Sequence, residues 1–310
     1  MKKTLFFIIA LATLSACGVK DAPQKPSSDP VCFMASYGGT RTTTDGNGKV
    51  FWTPGDEVAI WNATDVEGSP FTAATTEASS STELWGTFSS EQTIPAYVAV
   101  YPKALVGGEN STWGRQMTEG RGYDSSTHTY HPQWEVLMYL PSKQIARPDS
   151  FDDNLFVSYA VSETKELHFH HASGGFKFTV TGSNIIKVDI ETDTDYVGYL
   201  TGACRLYFNE ETYEFSTYKN GDYAVSLSAP DGETLIPGKY YYIITWPSNM
   251  RKGFKVKFTT AEGGSKDLTY TGGVEIKSGH FLRIENFDAS AEEHGMGSGD
   301  LEDISYDPIN

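Results

Sequence analysis

At 310 residues the chain is too long for one small sandwich and suits two domains of ordinary size. Hydrophobic residues at 39% and aromatic residues at 13% are enough for packed cores, which excludes wholesale disorder. The formal net charge of -16 argues against nucleic acid as a partner and against an electrostatic hold on anionic lipid headgroups.

The chain opens on an export signal. Lys2 and Lys3 form a positive n-region, and residues 5–14 are an apolar run too short to span a bilayer. The run ends in Leu14-Ser15-Ala16-Cys17, which resembles a bacterial lipobox. That resemblance implies cleavage of a signal peptide, 1–16, and lipid on the sulfur and new amino terminus of Cys17. An ordinary signal peptide with a chance cysteine is the plainer alternative. Buried lipid methylenes contribute about 0.8 kcal/mol each, so several chains hold a water-soluble protein at a membrane. Residues 18–30 carry three prolines and little apolar content, so 17–30 reads as a lipidated cysteine and its tether.

Short alternating runs follow. Residues 31–36 form a first candidate strand, closed by Gly38-Gly39 and followed by Thr40-Arg41 and more threonines. Val50 and Trp52, then Val58 and Ile60, flank the turn Pro54-Gly55-Asp56. Further strands fit 83–88, 97–101 and 135–140, whereas residues between Gly107 and Gln133 are polar and rich in Gly, Ser and Tyr and read as a long loop. An apolar run covers 155–161. In 166–171, His168 and His170 share one face and Phe169 takes the other. Ala172-Ser173-Gly174-Gly175 reads as a break. Beyond it, Phe176, Phe178 and Val180 alternate with Lys177 and Thr179, the period of two of a strand with one buried face. One β-rich unit closes and another opens here, with the boundary near Lys165.

In the second half Ile186, Val188 and Ile190 alternate with Lys187, Asp189 and Glu191. Residues 205–208, 213–217 and 223–227 read as hairpin strands. The run 240–246 is apolar on both faces, the pattern of a central, doubly covered strand. Phe254, Val256 and Phe258 alternate with lysines, and 280–284 closes the unit. The last segment holds Glu285, Asp288, Glu292, Glu293, Asp300, Glu302, Asp303 and Asp307 with no Lys or Arg, so 288–310 is expected to be an acidic flexible tail and a poor donor strand. No stretch sustains a helical period. The fold class is all-β, with β-sandwich domains over 31–165 and 166–287.

Several motifs now carry a family resemblance. Thr40-Arg41, then Trp52-Thr53-Pro54-Gly55-Asp56 and Ile60-Trp61, resemble the opening of Bacteroidales fimbrillins and fimbrillin-like lipoproteins. So do Val98-Ala99-Val100-Tyr101-Pro102, Leu140-Pro141 with Gln144, Phe169 with Gly175-Phe176-Lys177-Phe178, and Gly279-His280-Phe281-Leu282. The resemblance covers residues 31–287 and implies two transthyretin-like β-sandwich domains in tandem. It also implies a surface-exposed lipoprotein of the cell outer membrane with a structural or adhesive part in fimbriae. Other fimbrial subunits, or host or bacterial surface ligands, would be the partners. In the polymerising members an arginine-specific protease removes the first strand and a strand from a neighbouring subunit fills the groove. Arg41, the first arginine of the chain, stands where that maturation would occur; the plainer alternative is a surface arginine on a tethered monomer.

Catalytic constellations are poor: no Gly-x-Ser-x-Gly, no phosphate loop and no metalloprotease helix is present, so no enzyme activity and no cofactor are expected. His168 and His170 are the sharpest metal pair, against a pair of solvated strand histidines. Asp189, Glu191, Asp193 and Asp195 alternate onto one face as a Ca²⁺ candidate, against a solvated edge. Cys32 and Cys204 read as separate thiols in different units rather than a disulfide. Tyr240, Tyr241, Tyr242 and Trp246 offer a sugar platform, against a core strand. The alternative to a fimbrillin-like role is a monomeric surface lipoprotein that binds glycans through exposed aromatics.

Overall fold

The computed structural model describes residues 29–37, 43–44, 50–63, 68–107, 118–124, 129–182, 184–192, 199–209, 215–287 and 301–305. Regular structure among them is strand throughout, apart from a short 3-10 turn at Lys103–Leu105. The first half holds β1 (Val31–Tyr37), β2 (Thr43–Thr44), β3 (Val50–Phe51), β4 (Glu57–Trp61), β5 (Ser69–Ala73), β6 (Ser81–Gly86), β7 (Tyr97–Tyr101), β8 (Thr118–Asp124), β9 (Thr129–Leu140), β10 (Lys143–Ile145), β11 (Ser158–Ser162) and β12 (Glu166–His171). The second holds β13 (Gly174–Val180), β14 (Ile185–Thr192), β15 (Thr201–Asn209), β16 (Phe215–Asp222), β17 (Ala224–Ser228), β18 (Tyr240–Thr245), β19 (Ser248–Met250), β20 (Phe254–Thr260), β21 (Ser265–Tyr270), β22 (Val274–Ile276), β23 (His280–Phe287) and β24 (Leu301–Ser305).

Seven strands close into a barrel in the order β1-β12-β11-β7-β4-β5-β6. The β1/β12 pair is parallel and the other six are antiparallel. Closure leaves no open edge, which is how a small sheet avoids pairing with a stranger. The turn into β4 follows from its sequence. Pro54 presets φ at the second position of the turn and Gly55 takes φ 86° at the third, with the Asp56 N–H donating to the Thr53 carbonyl at 3.2 Å. Inside the barrel sit Phe33, Tyr37, Trp52, Phe71, Leu84, Tyr101 and Phe169.

Most of the remaining strands form a sheet β16-β15-β9-β8, a sheet β18-β13-β23-β24 and a sheet β10-β17-β14-β20-β21, while β2/β3 and β19/β22 make two-stranded ribbons. The last two of the three sheets enclose a core that includes Phe176, Val188, Tyr241, Val256 and Ile284. A third core joins the two halves of the chain. Trp61 and Val100 from barrel strands meet Val136 and Leu206 from β9 and β15, and Tyr242, Trp246 and Phe281 from the β18/β23 side. The change of sheet comes after His171, so the boundary expected at 165/166 falls between β11 and β12, which are paired within the one barrel. Strand β9, from the first half, pairs over residues 133–140 with β15 of the second, so the sheets do not divide where the sequence suggested.

Four other expectations change. β18 is apolar on both faces because it stands between two cores, yet β13 is the one strand it is laddered to, with a single bridge from Ser150 to Tyr241 on its other side, so it is an edge strand rather than a central one. Gly174 and Gly175 lie within β13 rather than in a break: a Cβ on Gly175 would stand 1.9 Å from the Ile243 carbonyl oxygen, so the neighbouring strand demands a bare backbone. The loop expected between Gly107 and Gln133 contains β8, held to β9 by seven register pairs that its glycines and charges disguised. Residues 301–305 of the expected flexible tail form β24, because β23 offers them an unpaired row of backbone donors and acceptors.

Candidate functional site

β1 is the first strand among the described residues and also the one that closes the barrel. It runs parallel to β12, with Met34 opposite Glu166 and Tyr37 opposite Phe169, and antiparallel to β6, with Val31 opposite Gly86 and Ser36 opposite Ser81. The period of two sends Phe33, Ala35 and Tyr37 into the core and leaves Met34 outside at 49% exposure. Phe33 makes edge contacts with Phe71 at 5.3 Å and Tyr97 at 4.8 Å, and Tyr37 packs on Trp52 at 4.5 Å and Phe169 at 5.4 Å. Without β1, the facing rows of β6 and β12 would be bare and these rings would line an apolar groove. The chain leaves β1 toward Arg41; Arg41 and Cys17 both lie outside the described residues.

At one end of the barrel a polar network surrounds the turn before β4. The buried Asp56 carboxylate accepts from the Thr53 N–H at 2.7 Å and the Thr53 hydroxyl at 3.0 Å, and the Tyr101 hydroxyl lies 3.3 Å away. The same hydroxyl lies 3.1 Å from Asn154 Oδ1. Burial, and next the charge of Asp56, push the Tyr101 phenol well above its usual range, so it stays protonated. Asn154 holds a left-handed backbone at φ 58°, and at the rim Arg147 pairs with Asp153 at 2.7 Å. The sequence marked Tyr101 only as a member of a motif and did not mark Asn154, because the register that brings them together spans 53 residues.

The other sequence candidates are placed as follows. His168 and His170 do share the outer face of β12, but His168 Nδ1 lies 2.8 Å from the Ser36 hydroxyl while His170 sits against the Tyr159 ring. Among the described residues no group of three His, Cys, Asp or Glu is placed to hold a metal ion. Asp189 pairs with Lys187 at 2.7 Å and faces Lys257 across the sheet, while Glu191 faces Lys255; Asp193 and Asp195 lie outside the described residues. Cys32 and Cys204 are not joined to each other, and Cys204 lies within the joining core. Tyr241, Tyr242 and Trp246 are buried, so they do not make a sugar platform. Trp85 is an exposed large aromatic, its indole N–H donating to Glu83 at 2.8 Å.

One buried polar residue explains a motif. Gln144 faces the free edge of β18, where its side-chain oxygen accepts from the Ile244 N–H at 2.9 Å and its amide donates to the Ile244 carbonyl at 2.7 Å. The side chain thus stands in for a neighbouring strand. Asp149 extends the cover, donating from its N–H to the Tyr240 carbonyl at 2.8 Å and accepting from the Tyr240 N–H at 3.2 Å.

No family model matches the chain, and no curated protein matches it. Similar solved structures include a "putative cell adhesion protein" of Bacteroides ovatus, with 12% identity and a TM-score of 0.44 over 90% of this chain and 96% of that one. Another protein of that description, from Bacteroides uniformis, has 13% identity and a TM-score of 0.39 over 89% and 97%. The tip fimbrial protein Mfa3 of Porphyromonas gingivalis has 7% identity and a TM-score of 0.31 over 83% and 94%.

Proposed function

We propose that this chain is a fimbrillin-like cell-surface lipoprotein, anchored through Cys17, that serves as a structural or adhesive subunit of fimbriae. Cleavage after Arg41 would separate β1 covalently from the rest of the fold. The observation that carries the reading is the place of β1: the first described strand fills the closing position of the barrel and supplies three inward side chains to its core. A strand that precedes every other described strand can leave after cleavage at Arg41 without breaking a connection among those that stay, and an incoming strand with the same alternation would find the same pockets. The two bared edges and the apolar groove make the cleaved form unstable by itself, which favours such a replacement. The motifs Trp52-Thr53-Pro54-Gly55-Asp56 and Leu140-Pro141 with Gln144, through which the chain resembles fimbrillins, serve here as the turn into β4 and the cap on β18.

Mass spectrometry of protein taken from the native cell surface tests this reading. A species beginning at Thr42 within higher-order assemblies is the expected result. A population that begins uniformly at lipidated Cys17, with no Thr42 species, would make the chain a tethered monomer.

A further inference from the structure

We propose that the recess walled by Thr53, Asp56, Tyr101, Arg147, Asp153 and Asn154 is a binding site for a neutral saccharide. Its volume is about 410 Å³, within the range of small-ligand clefts, and its walls are polar. The inference stands apart from cleavage and assembly, since it concerns a pocket of the closed barrel.

Three features mark the recess as built. Its floor is fixed in advance: Asp56 is only 7% exposed and Tyr101 only 1%, and the hydrogen bonds from Thr53 and Tyr101 set the carboxylate's orientation. Its wall carries Asn154, whose left-handed backbone at φ 58°, a state asparagine tolerates, brings its side-chain oxygen within 3.1 Å of the Tyr101 hydroxyl. Its rim places the Arg147 guanidinium beside the Asp153 carboxylate at 2.7 Å, so strong donors and acceptors alternate along it.

The ligand class follows from that lining. Hydroxyl groups both donate and accept, which is what a wall of carboxylate, amide, guanidinium and hydroxyl groups requires of its occupant. Two carboxylates, Asp56 and Asp153, stand against one guanidinium, Arg147, which disfavours an anionic sugar. Tyr101 stays protonated through the neutral range and keeps its hydroxyl as a hydrogen-bonding group.

Saturation-transfer NMR on the intact chain tests the site, with glucose, galactose, mannose, N-acetylglucosamine and N-acetylgalactosamine as probes, and sialic acid and a lysine-containing peptide as charged controls. Transfer to at least one neutral sugar is expected. Asn154→Gly, which relieves the backbone while removing the amide, and Arg147→Gln should each weaken binding about tenfold, as loss of a good hydrogen bond does. An unchanged melting temperature in those variants shows that the fold is kept. No transfer from any neutral sugar, transfer unaffected by both variants, or transfer from a charged control alone would overturn the assignment.

Discussion

Replacing Gln144 by alanine strips both partners from the Ile244 peptide group at a place where water does not reach. A buried N–H and a buried carbonyl left unmade cost about 1–3 kcal/mol each, so Gln144→Ala should destabilise the fold by about 2–6 kcal/mol in urea unfolding. Tyr101 supplies a pH test. Its phenol holds the proton to higher pH in the folded state than in the unfolded chain, whose value is near 10. The stability it contributes is therefore complete below about pH 10 and is lost as pH rises from there toward the folded value. Tyr241 shifts in the same direction, so the difference between wild type and Tyr101→Phe is the quantity to read. The variant should show a shallower loss of stability between neutral and strongly alkaline pH, and equal slopes would remove Tyr101 from the account. At this scale the sequence marked Gln144 and Asp56 only as members of motifs. Their roles depend on partners up to 100 residues away, which spacing along the chain does not reveal.

Among the elements, β1 offers a clean contrast between its two faces. Phe33 is fully buried against Phe71, Phe88 and Tyr97, so Phe33→Ala should cost about 3–5 kcal/mol. Met34, half exposed on the outer face, should tolerate Met34→Lys within about 0.5 kcal/mol. Denaturant titration of the two variants separates them, and similar losses would contradict the alternation. Alternation was legible in the sequence for β13, β14 and β20, whereas for β1 only the strand itself, at 31–36, was legible. The pairing was not: β1 is parallel to a strand 132 residues onward, and no local pattern encodes such a neighbour. β18 shows the same limit, since two apolar faces reveal burial but not whether a strand or a glutamine amide closes its edge. At the other terminus, β24 covers five positions of β23. Deleting residues 289–310 bares that edge and should lower the melting temperature, whereas a tail without contacts would leave it unchanged.

The molecule as a whole is bound by its joining core, to which the barrel, the β9/β15 pair and the β18/β23 side all contribute. The many short strands and all-β class were plain from composition and period, but two separate units were expected where the structure interlocks them. Such sharing predicts one cooperative calorimetric transition for the described fold, and two well-separated transitions would show independent halves. The detachable first strand is tested most directly by thermal unfolding of a chain that begins at Thr42, with and without a synthetic peptide of residues 29–37. The shortened chain should melt well below the intact protein, and the peptide should raise its melting temperature in proportion to the logarithm of its concentration, as a ligand of the folded state does. A shortened chain that melts like the intact one, or that ignores the peptide, would contradict the central claim.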